Sequence, residues 1–389
     1  MKVRRGIYSK AICPTLLWGL LLVMVAGCQN RAAEELVNGE QGLSSSDRVK
    51  VDLVLGVDQF DGLLTTMRVI SPEQESKIAT LKVLSFSVPT STTAYDDEKY
   101  FDTPEILSGP TLDGNHYKVS LQMKPGRQRL VFLANVPGNT LPSDITIGMT
   151  KKQVYDKLVF PFSIDGWKAG NRTGAGPFDP IPMWGESNVG TLSFGDYFAN
   201  KGAGGAIRLY RSFARIDVGF GFKDPATPGD PLPDTINDYD PKQFPLKDPV
   251  VILFHPATTF RLAGDMRNIS HATYKVTAPT LPTPLEYHPS KPDIYDLPGW
   301  FIMPKGDYKG RIVRSIYVPE TPSPSGTRII LDTDYEGAEC FYNLDFSREV
   351  GGQKQSMPLL RNKRYRINIT NATKAGYPTV EEALNAGSN

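Results

Sequence analysis

Short apolar runs separated everywhere by glycine and proline limit what this chain can become. Its 389 residues include 35 Gly and 32 Pro, spread along the whole length. Proline stops a helix and glycine supplies tight turns, so punctuation this dense favours strands over long helices. Within the runs the apolar period is two. VKVDLVLGV (49–57) places Val49, Val51, Leu53 and Leu55 on one face, the pattern of a half-buried strand. KIATLKVLSFSV (77–88) and YKVSLQM (117–123) repeat it, and QRLVFLANV (128–136) is a continuous apolar run suited to a central strand. IRLYRSFARIDVGFGF (207–222) reads as one long strand, and further strands are expected at 250–255, 272–277, 312–318, 327–332, 340–346 and 364–370. One helix is predicted in MTKKQVYDKLVF (149–160), where Val154, Leu158 and Val159 fall at helical spacing behind Thr150 as cap. The expected fold class is therefore all-β, built of sandwiches or open barrels with few short helices.

The N-terminus is of another kind. Lys2, Arg4, Arg5 and Lys10 precede an almost wholly apolar stretch at 11–27, the charged and apolar regions of an export signal. A membrane-spanning helix needs about 20 apolar residues; this run is shorter, contains Pro14 and ends in small residues. Its end, Val25-Ala26-Gly27-Cys28, resembles the lipobox of bacterial lipoproteins. That resemblance implies cleavage between Gly27 and Cys28, with a diacylglycerol on the Cys28 thiol and an acyl chain on the freed amine. Several acyl chains, at roughly 0.8 kcal/mol per buried methylene, hold a protein firmly on a bilayer.

Residues 28–48 are polar and aperiodic and read as a flexible tether. The remainder is long enough for two domains, and the strand pattern restarts after the glycine-rich NKGAGGA, so the expected division is 49–205 and 206–389. With four of the 43 basic residues in the signal, the rest of the chain carries 39 against 42 acidic, a net charge near −3 that offers nothing to nucleic acid. Cys13 leaves with the signal and Cys28 is the lipid site, so Cys340 stands alone and stability must come from the cores.

No catalytic, metal or cofactor site is expected. His116, His255, His271 and His288 are scattered without ligand spacing, and there is neither a G-x-S-x-G elbow nor a P-loop. Cys340 sits within a strand pattern and reads as a small core residue. DTDYEGAECFYN (332–343) imitates the start of a calcium loop with Asp332, Asp334, Glu336 and Gly337, but Asn343 stands where the bidentate Glu belongs, so it reads as a solvated turn.

Several segments also resemble one family in their order and spacing. GRQRLVFLANV (126–136), IPMWGES (181–187), IRLYRSFARIDV (207–218), RSIYVPE (314–320) and LLRNKRYRINIT (359–370) are similar to segments of fimbrillins, the lipoprotein pilins of type V pili. The resemblance implies two transthyretin-like β-sandwich domains and export as an outer-membrane lipoprotein precursor at the cell surface. It further implies removal of the first strand by a trypsin-like, arginine-specific protease, then assembly into a fimbrium with other fimbrial subunits by strand donation. It places the maturation cut between Arg68 and Val69, ahead of the strand that begins with Glu75-Ser76-Lys77; Arg48, just before the first strand, competes as a site that would release only the lipid. Stalk fimbrillins resemble this chain through AGYPTVEEALN (375–385) and continue into a further apolar strand, whereas this sequence stops at Asn389, which suits a tip or accessory subunit. A lipidated anchor subunit belongs to the same superfamily. A host or bacterial surface ligand is a further expected partner. From another class, a surface glycan-binding lipoprotein would use exposed aromatics, with Trp167, Trp184 and Trp300 as candidates. A secreted hydrolase would need a catalytic constellation that the sequence does not offer.

Overall fold

The computed structural model describes residues 48–57, 72–89, 95–162, 179–190, 206–220, 246–254, 257–270, 275–281, 295–296, 312–322, 327–344, 346–369 and 372–386. The fold is an all-β sandwich with few short helices. The first part comprises β1 (Val49–Val57), α1 (Pro72–Glu75), β2 (Leu81–Ser87), β3 (Lys99–Asp102), β4 (Glu105–Asp113), β5 (His116–Met123), β6 (Gln128–Ala134), α2 (Lys151–Lys157), β7 (Val159–Pro161), β8 (Met183–Gly190) and β9 (Ile207–Arg211). Eight of these strands form one sheet in the order β3-β2-β6-β8-β9-β1-β5-β4. β8 and β9 share only two residue pairs, Met183 with Arg211 and Trp184 with Tyr210. Side chains from either side of this thin seam, such as Leu53, Leu55 and Leu121 with Leu84, Phe86 and Phe132, meet in one core.

The second part follows with β10 (Phe213–Phe220), β11 (Leu246–Phe254), β12 (Thr259–Arg261), β13 (Ile269–Ser270), β14 (Lys275–Val276), β15 (Tyr295–Asp296), β16 (Ile312–Pro319), β17 (Arg328–Tyr335), β18 (Ala338–Leu344), β19 (Ser347–Val350), β20 (Gln353–Ser356), β21 (Arg364–Ile369) and α3 (Val380–Asn385). A three-stranded sheet, β16-β10-β21, and a four-stranded sheet, β15-β11-β17-β18, contribute to a second core: Ala214, Ile216 and Val218 from β10 pack with Leu253, Ile329 and Leu331. Ala383 of α3 packs on Ile252 and Ile330, at the alternate positions of β11 and β17. Between β11 and β14 the chain returns to the first core, to which it gives Phe260, Leu262, Met266, Ile269 and Val276. β12 pairs there with β7.

Three expectations need correction, the first being the strand expected from Glu75 or Lys77, which begins only at Leu81, with Pro72–Glu75 in a short helix. The stretch 207–222 is not one strand: β9 ends at Arg211 in the first sheet, Ser212 breaks the run, and β10 begins at Phe213 in another sheet. Ser212 N–H donates to Pro182 O at 2.8 Å and its hydroxyl to Leu262 O at 3.1 Å, so its bonds go to loops instead of a ladder. The helix forms with Thr150 as cap, in a box where Gln153 N–H donates to Thr150 Oγ1 and Thr150 N–H to Gln153 Oε1, but it ends at Lys157. Beyond it Leu158 O accepts Leu262 N–H at 2.8 Å, and Val159–Pro161 are taken up by pairing with Thr259–Arg261.

Candidate functional site: the first strand and its anchors

β1 sits inside the sheet rather than at its edge. It runs antiparallel to β5 from Val49–Met123 to Gly56–His116, and parallel to β9 from Leu55–Ile207 to Val57–Leu209. Val51, Leu53, Leu55 and Val57 point into the core with exposures of 9% or less, while Lys50 and Asp52 face solvent. Burying four such side chains contributes on the order of 6–12 kcal/mol at ~1.5–3 kcal/mol each, comparable with the whole stability of a domain, about 5–15 kcal/mol. The hydrogen-bonded neighbours of β5 are β1 and β4, so β1 alone ties the β4–β5 hairpin to the rest of the sheet. Without it the facing edges of β5 and β9 would present unpaired N–H and C=O groups along a slot floored by apolar side chains.

The chain is fastened just ahead of β1 and again from Glu75 onward. Upstream of β1, Arg48 Nη2 lies 2.9 Å from Asp102 Oδ1 and Nη1 donates to Gln122 O at 3.0 Å. Asp102 is buried, and its other oxygen accepts Lys124 N–H at 3.1 Å. Downstream, Glu75 at the end of α1 is buried. Its carboxylate pairs with Arg215 and accepts the Tyr317 O–H, and its backbone carbonyl accepts Arg211 Nε–H at 2.9 Å. Arg215 Nε lies 2.8 Å from Asp217 Oδ1, and Arg364 pairs with the other Asp217 oxygen. The four form an alternating chain, Glu75–Arg215–Asp217–Arg364. Arg215 and Asp217 alternate along β10 with the second-core residues Ala214, Ile216 and Val218, so this buried polar row lines the opposite face of the strand. Burial and the neighbouring Glu75 carboxylate push the Tyr317 hydroxyl well above its ordinary pKa, which keeps it a donor.

Asn135 completes the downstream anchor. Its side chain accepts Ala79 N–H at 2.8 Å and Thr80 N–H at 3.2 Å, and donates to Lys77 O and Ile181 O, each at 2.8 Å. Its φ of 55° ends β6 and turns the amide onto that segment. The described backbone is thus fixed up to Val57 and again from Glu75. Arg68 and Val69 lie outside the described residues, as do Gly27 and Cys28. Between Val57 and Pro72 the sequence holds one basic residue, Arg68.

A second buried cluster lies in the first core. Lys151 Nζ is 2.7 Å from Glu98 Oε2 and 3.5 Å from Glu186 Oε2, and Arg129 Nε is 2.9 Å from Glu98 Oε2. Tyr155 and Tyr95 both donate to Glu186 Oε1, and Trp184 Nε1–H donates to the Tyr155 hydroxyl at 3.2 Å. Each charge has an opposite partner, and the arrangement fastens α2 to β6 and β8. Arg361 makes a third, with Nη2 at 2.5 Å from Glu320 Oε1 and Nη1 donating to Leu262 O at 2.9 Å. The segments that resemble fimbrillins supply much of these networks: Asn135, Glu186, Arg211, Arg215, Asp217, Glu320, Arg361 and Arg364 all lie in them.

Other sequence candidates fall as follows. Trp184 is fully buried against Tyr155 and Tyr210 and offers no face to a sugar; Trp167 and Trp300 lie outside the described residues. Cys340 is buried in β18. Asp334 to Gly337 form the tight turn between β17 and β18, with Glu336 and Gly337 both at positive φ and Gly337 N–H donating to Asp334 Oδ1 at 2.5 Å. Among the described residues no group of three or more His, Cys, Asp or Glu could hold a metal ion, and no helix is long and apolar enough to cross a membrane.

No family model matches the chain, and no curated protein matches it. Solved structures align with most of its length. A tip fimbrial protein of Porphyromonas gingivalis, Mfa3 with a C-terminal truncation, is 14% identical with a TM-score of 0.47, over 84% of this chain and 96% of that one. A putative cell adhesion protein of Parabacteroides distasonis is 15% identical with a TM-score of 0.46, over 85% and 91%. The fimbrial anchor protein Mfa2 of P. gingivalis is 15% identical with a TM-score of 0.30, over 75% and 80%.

Proposed function

We propose that this chain is a structural subunit of a type V fimbria, exported as a lipoprotein through Cys28 and matured by loss of its first strand. The observation that carries the reading is the placement of β1. It is a buried strand, paired along eight positions with β5 and along three with β9, and is the first element among the described residues; it is followed by a stretch whose one basic residue is Arg68 and then by a segment anchored at Glu75 and Asn135. Hydrolysis of the Arg68–Val69 bond would let β1 leave together with the lipidated N-terminus while the anchors hold the rest of the chain. A donor strand from another subunit would then complete the ladder between β5 and β9 and refill the core, so that release and assembly are coupled. The Gly/Pro-rich, nearly neutral chain and its ordered fimbrillin-like segments support the same reading.

The test is the N-terminus of the assembled, cell-surface protein, read beside the Cys28→Ser variant. A start at Val69, with Cys28→Ser failing to label with palmitate, is the expected result. A lipidated Cys28 retained in assembled fimbriae would discard strand removal and make the subunit an anchor; a protein that binds a surface polysaccharide and never assembles would discard the fimbrial reading itself.

A further inference from the structure

Between Cys28 and β2 the sequence holds three arginines, Arg31, Arg48 and Arg68, after which an arginine-specific protease could separate the chain from its lipid, and only a cut after Arg68 opens the slot. A cut after Arg48 would shed the tether but leave β1 in place, giving a soluble subunit with its slot filled. We propose that Asp102 is a guard on Arg48, holding its guanidinium in the folded chain so that the Arg48–Val49 bond is spared. The biological meaning rests on the strand-removal reading; the guard itself does not.

The geometry is that of a clamp on both arms of the guanidinium. Nη2 meets Asp102 Oδ1 at 2.9 Å and Nη1 meets Gln122 O at 3.0 Å, which leaves the Arg48 side chain 29% exposed and that of Asp102 3%. Asp102 is held in turn by Lys124 N–H at 3.1 Å, with Lys124 Nζ 3.9 Å away, so the acceptor is positioned from β3 while the backbone contact comes from β5. An arginine-specific protease recognises the guanidinium by offering it a carboxylate of its own, the same charge-assisted pairing that Asp102 already makes. It also needs several extended residues on each side of the bond, and here the residue after Arg48 is Val49, already paired with Met123. To hydrolyse this bond the protease must wait for the clamp and the first strand pairs to open together. Lys50, by contrast, points outward and is 61% exposed beside Asp52, so what is withheld is specifically the arginine.

The experiment uses the unlipidated chain from Cys28 onward, which contains every described residue, digested with an arginine-specific protease that ignores lysine. The fragment beginning at Val49 is followed by mass. Asp102→Asn, which keeps an acceptor for Lys124 N–H but loses the charge, should speed its appearance roughly tenfold or more, as expected when a charge-assisted pair is lost and cleavage tracks the open population. Lys124→Met, which leaves the clamp atoms in place, should not. Cleavage at other arginines serves as the internal measure of global unfolding and should be unchanged by Asp102→Asn. An equal rate of the Val49 cut in both proteins, or a parallel rise at all arginines, would overturn the guard. Whether the digested protein assembles plays no part in this readout, so the guard and the fimbrial reading can fail separately.

Discussion

Replacing Glu75 should loosen the junction between the two cores by an amount that the charge inventory sets. Glu75, Arg215, Asp217 and Arg364 alternate in sign, sum to zero and are nearly closed to water, with side-chain exposures of 2% or less. Glu75→Leu leaves two guanidiniums facing one carboxylate and removes the acceptor of the Tyr317 hydroxyl. Breaking a buried pair from one side costs about 3–5 kcal/mol, because the remaining charge stays desolvated. Glu75→Gln keeps the shape and an acceptor for Tyr317, so the loss should be smaller, about 1.5–3 kcal/mol for a hydrogen bond that had been charged. Adding Arg215→Met to Glu75→Leu removes the stranded cation, and the double variant should recover part of the loss, a coupling of about 1–3 kcal/mol for residues in direct contact. Urea unfolding followed by tryptophan fluorescence reads these differences. If Glu75→Leu costs less than about 1 kcal/mol, or the cycle shows no coupling, the row is a solvated surface feature and the reasoning is wrong.

Two further outcomes follow from other parts of the fold. Gly185→Ala in β8 would press a methyl group into the Arg208 carbonyl oxygen of β9 and within 2.7 Å of Leu209 Cδ2, at the thin seam of the first sheet. The variant should lose more than about 3 kcal/mol or fail to accumulate, and a stable, well-expressed protein would show that the seam is not closely packed. Alkaline pH should also unfold the protein. Burial holds Tyr95, Tyr155 and Tyr317 well above the ordinary value of 10.0 and pushes Tyr365 up to about 12. A raised folded-state pKa means that stability is complete below pH 10 and is lost as pH climbs through and beyond it, by about 1.4 kcal/mol per buried tyrosine at one unit above. Urea midpoints at about pH 8 and about pH 11 should therefore differ sharply, and the phenolate absorbance of these four tyrosines should appear only with unfolding; ionisation of these tyrosines in the folded protein would contradict the burial argument.

The sequence exposed the strands more readily than their connections. VKVDLVLGV is β1 from Val49 to Val57 because strict alternation leaves its buried face in no doubt. KIATLKVLSFSV gives strand only from Leu81, since the backbone of Lys77, Ala79 and Thr80 bonds to the side chain of Asn135, a partner 55 to 58 residues away that no local pattern reveals. The break at Ser212 was hidden because β9 and β10 are both buried, so the apolar run continues across a change of sheet. The anchors were half visible. Arg215 and Asp217, two apart in an otherwise apolar strand, mark one face as carrying buried charge, and that signal could have been followed to a partner. Glu75 gave no such sign, because in sequence it is one acid among the polar residues of SPEQES. Asp102 likewise looks like a loop acid until Arg48 is seen beside it.

The position of β1 also sets an order of events in folding. Leu55 pairs with Ile207, 152 positions further along, and even its nearer partner, Tyr117 in β5, is 62 positions away. A chain that emerges N-terminus first therefore makes this strand before either neighbour exists, and can seat it only when β9 has formed. Contacts of such long range are slow to close, since the loop entropy is spent before the contact returns anything. Until β1 is seated, the β5 edge, then the β9 edge once it forms, and the apolar floor between them stand open, the same surface that would invite strands from other chains. The chain's own first strand is covalently joined to it and so is present at high local concentration. β1 thus behaves as a built-in chaperone for its own slot, present in one copy per chain and supplied ahead of need.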